Sequence, residues 1–102
     1  MPLRSVKPLI LAIDDDEVAR ESAQVLLTRW GYRVNLAEHG EKGLHLMRQE
    51  PPDLVLVDLQ MPGISGLEVL SGVREFDPAI VCVMVTGHAT LQSAVDAMKQ
   101  GA

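Results

Sequence analysis

Four short runs of apolar, β-favouring residues recur along the chain: LILAI (9–13), YRVNLA (32–37), DLVLVD (53–58) and AIVCVMV (79–85). Each has the length of a strand. The segments between them space their apolar residues as a helix does. Over 17–30, Val18, Ser22, Val25, Leu26 and Arg29 share one side, which the pattern assigns to the core, with the arginine stem covering its edge. Gly31 after Trp30 stops this helix as a C′ glycine would. A second helix, 41–50, turns Leu44, Leu46 and Met47 inward and ends at Pro51-Pro52. A third, 66–76, uses Leu67, Val69, Leu70 and Val73 and stops at Asp77-Pro78. A fourth, 90–100, carries Leu91, Ala94, Val95 and Met98 at i, i+3, i+4 and i+7.

Strand and helix alternate four times, and the first, third and fourth runs are apolar nearly throughout, as parallel strands buried on both faces must be. An open α/β sheet is the expected fold. The second strand alternates more, Arg33 and Asn35 against Val34 and Leu36, and suits an edge. Residues 1–7 read as a loose tail ahead of a single domain, which is what 102 residues with 47% hydrophobic content can pack around one core.

Charge narrows the choice of partners. Nine Lys plus Arg against 14 Asp plus Glu give a formal net charge of -5, which argues against direct contact with nucleic acid or an anionic membrane and suits an acidic patch facing a cation. Cys82 is the single cysteine, so no intramolecular disulfide can form, and a reducing cytoplasm is the expected compartment. No secretory h-region follows the basic residues of MPLRSVKP, and no apolar run is long enough to span a bilayer.

In an open parallel sheet, ligands sit beyond the carboxyl ends of the strands, where the strand order reverses. The first run ends in Asp14-Asp15-Asp16, the third in Asp58, and the fourth runs into Thr86-Gly87. If the first and third strands are neighbours, about 4.8 Å apart, their terminal carboxylates converge. Carboxylates so close either raise one another's pKa or share a cation, and hard oxygen ligands with room for water specify Mg2+ or a similar ion. Asp16 and Glu17 suit another task, capping the following helix and placing negative charge on its first turn. A carboxylate beside a divalent ion is a competent nucleophile toward phosphorus, and Thr86 is placed to donate its hydroxyl to a phosphoryl oxygen.

The loop QMPGISG (60–66) supplies turn residues, with Gly63 and Gly66 able to take positive φ. Neither GxxxxGK[ST] nor GxGxxG is present, so nucleotide hydrolysis has no support. His39, His45 and His88 lack metal-ligand spacing and read as solvated or loop residues, His88 lying near the rim where it can influence access. Cys82, Trp30, Met84 and Met98 read as packing.

Taken with their separations, LILAIDDDEVAR, PPDLVLVDLQMPGISGLEVL, VMVTGHAT and AVDAMKQGA resemble the receiver domain of two-component response regulators, from about residue 8 to residue 102. The resemblance implies a flavodoxin-like, doubly wound parallel sheet of order 2-1-3-4, a fifth strand and helix being absent from this sequence. It makes Asp58 the phospho-accepting aspartate, Asp14 and Asp15 the acidic pair with Asp15 a direct metal ligand, the main-chain carbonyl of Gln60 a further ligand of Mg2+ (or Mn2+), and Thr86 the switch hydroxyl. A register one residue later would make Asp15 and Asp16 the pair. The earlier one leaves Ile13 as the last apolar strand residue and puts Arg20 where the family commonly has an arginine.

Further implications concern partners. A sensor histidine kinase supplies the phosphoryl group from phosphohistidine, an output domain follows residue 102, and the fourth helix resembles a face used for dimerisation or output contact. The family's lysine at the end of strand 5 has no counterpart, and Lys99, inside the fourth helix, is not a substitute. Without strand 5, the edge of strand 4 is open to pairing with a second copy. Two other classes compete: a pseudo-receiver that interacts without being phosphorylated, and a metal-dependent phosphohydrolase of the haloacid dehalogenase type. The latter needs Asp-x-Asp-x-Thr, whereas Val18 stands at the last position here.

Overall fold

The computed structural model describes residues 7–58 and 63–85. Their order is β1 (Leu9–Ile13), α1 (Glu17–Arg29), β2 (Arg33–Ala37), α2 (Gly40–Gln49), β3 (Leu54–Asp58), α3 (Gly66–Phe76) and β4 (Val81–Val85). The strands form one parallel sheet, as the alternation of strand and helix implied, in the order β2-β1-β3-β4 that the resemblance implied. The expected fourth helix, 90–100, lies outside the described residues. No described helix is long and apolar enough to cross a membrane.

Alternation along the central strands divides the core in two. Leu11, Ile13, Val55 and Val57 join Met47 of α2 and Val69 and Val73 of α3 on one face. Ile10, Leu54 and Leu56 join Ala23 and Leu27 of α1 on the other. Each such side chain, taken wholly from water, contributes about 1.5–3 kcal/mol of transfer free energy. β2 is an edge, as its alternation indicated, and polar groups line it: Arg33 Nη1 donates to Glu50 Oε2 at 2.9 Å and Asn35 Nδ2 to Glu50 Oε1 at 3.2 Å. At the opposite end of β1 from the acids, Asp53 accepts the Leu9 N–H on its carboxylate and donates its own N–H to the Leu9 carbonyl, both at 2.8 Å. That pair fixes where β1 and β3 start relative to each other.

The face of α1 differs from the sequence expectation. Val18 and Val25 are 63% and 56% exposed, and the buried stripe is Ala23 and Leu27 with Trp30 packed beside them. Two stripes of helical period interleave in this segment; the valines outweigh alanine in hydropathy, but it is Ala23 with Leu27 that packs into the core. Leu67, also expected inside, is 62% exposed in the first turn of α3, where Ile64 of the preceding loop packs against the core instead.

Helix ends follow local chemistry. Asp16 caps α1, its side chain accepting the Val18 N–H at 3.2 Å. The helix closes at Gly31, φ 94°, with the Gly31 N–H bonded to Thr28 O and the Tyr32 N–H to Leu27 O, the paired pattern of a Schellman end. Ser65 and Glu68 form a reciprocal capping box at α3. Glu50 ends α2 immediately before Pro51-Pro52.

Gly43 in α2 faces β1 so closely that a Cβ there would overlap Ile13 Cδ1 and lie 2.7 Å from its Cγ1. Ile13 is 1% exposed and has nowhere to turn. Overpacking costs about 1–3 kcal/mol, more than the roughly 1 kcal/mol that alanine gains over glycine within a helix. Gly43→Ala is therefore expected to lower the urea midpoint, and the loss should shrink when Ile13→Val removes the clashing methyl. A Gly43→Ala penalty unchanged by Ile13→Val would show that the close approach is not its cause.

Candidate phosphoryl-acceptor and metal site

Parallel pairing sets Ile13 opposite Val57 and Asp58 opposite Val85. Asp14 follows Ile13 and Asp58 follows Val57, so the two carboxylates leave adjacent strands at the same level. Asp14, Asp15 and Asp58 each present a carboxylate oxygen, all within 4.8 Å of one another. Asp14 and Asp58 are half-buried and Asp15 is exposed. Asp16 is not one of this trio and caps α1.

Asp14 is held at three points. Its N–H donates to Ala37 O at 3.1 Å, one step past the last β1–β2 pair. Its carboxylate accepts the Asp16 N–H at 2.9 Å, and its carbonyl accepts from Arg20 Nη1 at 2.8 Å. Burial pushes the Asp14 carboxyl above its ordinary value of 3.8; the Asp16 N–H opposes that rise, and the charges of Asp58, Asp15 and Asp16 add to it. Three hard oxygen donors held together at an electrostatic cost are what a divalent cation relieves.

The loop after β3 re-enters the described residues at Gly63, which takes φ 81°; Gly66, also a candidate for positive φ, instead opens α3 and is buried. Gln60 and Thr86, the other expected site residues, lie outside the described residues, as does His88. Across the rim, His39 is not an idle loop residue: its Nδ1 accepts the Lys42 N–H at 3.2 Å and caps α2. Histidine is outside the usual set of capping residues, so composition gave no signal for it. Cys82 is half-buried, and burial raises its thiol pKa. It lines a groove of about 370 Å³ with Leu70, Arg74 and Pro78, near the start of β4 and away from the acids.

The rise at Asp14 has a definite sign in stability. A carboxyl whose folded pKa exceeds its unfolded value contributes stability that is fully present below the unfolded pKa and lost as pH rises through the folded one. At neutral pH without metal, the charged Asp14 is therefore a standing cost. Asp14→Asn removes that charge while its side-chain oxygen can still accept from Asp16. The substitution is expected to raise metal-free stability at pH 7, by an amount that solvent screening keeps small. It should also flatten the fall in stability as pH rises from about 4. Urea unfolding across pH checks both, and a less stable Asn variant would contradict the account.

Comparison with known proteins places this rim in context. A family model described as the response regulator receiver domain matches residues 10–102. The chain is 40% identical over 93 residues to the transcriptional regulatory protein ZraR of Klebsiella oxytoca, covering 91% of this chain and 21% of that protein. It is 36% identical over 88 residues to AfsQ1 of Streptomyces coelicolor, covering 86% of this chain and 39% of that one. The chain thus spans about a fifth to two fifths of these curated relatives. Among solved structures, a CheY-like receiver domain protein from Methanospirillum hungatei superposes with a TM-score of 0.77 at 34% identity, over 96% of this chain and 78% of that one. A receiver domain protein from Clostridium thermocellum gives 0.75 at 32%, over 93% and 77%. With the 2-1-3-4 sheet, the acids at its carboxyl rim and these matches, the chain belongs to the receiver domains of two-component response regulators, a regulatory signalling family rather than one of classical enzymes.

Proposed function

We propose that this chain is a phosphoryl-accepting switch in which Asp58 receives the phosphoryl group. The observation that carries the reading is the convergence of Asp14, Asp15 and Asp58 within 4.8 Å. Asp14, Asp15, Asp58 and the main-chain carbonyl of Gln60 would hold Mg2+ (or Mn2+). Such an ion, when bound, neutralises the phosphoryl oxygens and the mutual repulsion of the carboxylates. Asp58 presents a carboxylate oxygen at the end of a buried strand, from which it attacks phosphorus. The P–O bond to Asp58 forms as the P–N bond of a phosphohistidine breaks, and the histidine nitrogen leaves with the electron pair and takes up a proton. Thr86, next in sequence to the register partner of Asp58, then donates its hydroxyl to the phosphoryl oxygens and carries the change of state outward.

A sensor histidine kinase is the matching donor. The names of the relatives, transcriptional regulators of which this chain matches 21% and 39%, support an attached output domain as the recipient of the signal. Any contact with DNA would fall to that domain, since this segment carries a net charge of -5. The cytoplasm is the compartment such a pathway requires.

Incubation with Mg2+ and either beryllofluoride or acetyl phosphate is expected to give a stoichiometric adduct by mass spectrometry or fluorine NMR. Asp58→Asn, or chelation of the metal, should abolish it. Absence of an adduct in a chain extended past residue 102 would overturn the switch and leave the unphosphorylated pseudo-receiver.

A further inference from the structure

We propose that Arg20 is a positioning residue for the acidic site, holding the loop that carries Asp14 and Asp15 from outside the ligand set; the inference rests on reading those carboxylates as a divalent-cation site. Arg20 projects from the second turn of α1 back over the helix start, and its Nη1 donates to the main-chain carbonyl of Asp14 at 2.8 Å. This bond goes to a peptide oxygen and not to a carboxylate. It therefore fixes the chain at Asp14 while leaving the carboxylate oxygens to converge. Its own N–H is tied into the same turn, donating to Asp16 O at 3.0 Å.

Without this bond, Asp14 would be held through its N–H to Ala37 O and its carboxylate to the Asp16 N–H alone. The second of those is the weak point, because metal binding competes for the same carboxylate. A carbonyl clamp is independent of that competition, so the loop keeps its path whether or not the carboxylate is engaged.

Positioning and plain electrostatics predict opposite signs. A guanidinium bonded to the main chain of the loop that carries Asp14 repels an incoming cation, so if charge were its only effect, removing it would tighten Mg2+ binding. If it holds the ligands in place, removing it loosens them and weakens binding, as loss of outer-shell partners of metal ligands does. Mg2+ titration of the 102-residue chain, followed by the backbone amide resonances of Asp15 and Asp16, separates the two. Arg20→Gln is expected to raise the Mg2+ dissociation constant by about 3–10-fold, at or below the lower end of the range for such partners. Arg20→Lys, which keeps the charge and one donor, should recover part of the loss. In metal-free protein, Arg20→Gln should also speed exchange of the Asp16 amide with water, while urea unfolding verifies that both variants are folded. Unchanged or tighter Mg2+ binding by folded Arg20→Gln would overturn the proposal. No response to Mg2+ in the unsubstituted chain would instead overturn the cation-site reading, and the proposal with it.

Discussion

Parallel pairing of β1 with β3, with Ile13 opposite Val57, is the constraint from which the rest follows. Both strands are buried on both faces, so their register is fixed twice over, by the α2–α3 core on one side and the α1 core on the other. A slip of one residue would exchange the two sets of side chains and expose apolar surface on each face. The reciprocal bonds between Asp53 and Leu9 pin the register again at the strand starts. Asp14 and Asp58 are each the first residue past this locked ladder. Their proximity is thus paid for by the apolar core and is not a property of the carboxylates themselves.

Rigidity at the rim comes from helix starts. In a parallel sheet each connecting helix begins near the carboxyl end of the strand before it, so every cap lies close to the chemistry. Asp16 caps α1 two residues after Asp14, His39 caps α2, and the Ser65–Glu68 box starts α3 two residues past Gly63. Each cap satisfies an N–H that a helix start leaves unpaired, and the Asp16 and Ser65 caps are each worth about 1 kcal/mol. Loops set this way can be short, and a short loop holds its charges where the strand ends put them.

Most of the framework was legible in the sequence because it depends on local pattern. The edge character of β2, the stop at Gly31 and the capping role of Asp16 all follow from period, glycine placement and charge at a strand end, while the strand order came from the resemblance to receiver domains. The inward face of α1 did not, because its two candidate stripes have the same period and the two valines of the wrong one are each more apolar than Ala23. A finer signal was available. A Schellman end brings C3 and C″ together, which puts Leu27 on the face of Tyr32, and both belong to the same core cluster. Leu67 misled for a related reason: in a first turn, an apolar residue is not obliged to face the sheet when a loop residue, here Ile64, already fills the place. The three acids were legible as candidates, but their convergence rests on a register between positions 44 apart in sequence, which periodicity alone does not specify. The Arg20 bond to a main-chain oxygen leaves no compositional trace at all.

The electrostatics of the rim give the fold a reason to carry its own destabilisation. Burial and three neighbouring charges raise the Asp14 carboxyl, so the metal-free site works against folding at neutral pH. A cation that relieves this repulsion binds the folded state in preference to the unfolded chain, and the relief appears as stability by linkage. The same repulsion makes the site responsive to charge, since any group arriving at Asp58 changes the balance among carboxylates already held within 4.8 Å. A site of low strain would bind and release without consequence for its surroundings. Here the strand ends cannot move apart without breaking the β1–β3 ladder, so a change in charge must be taken up by the loops, and it is the loops that face outward.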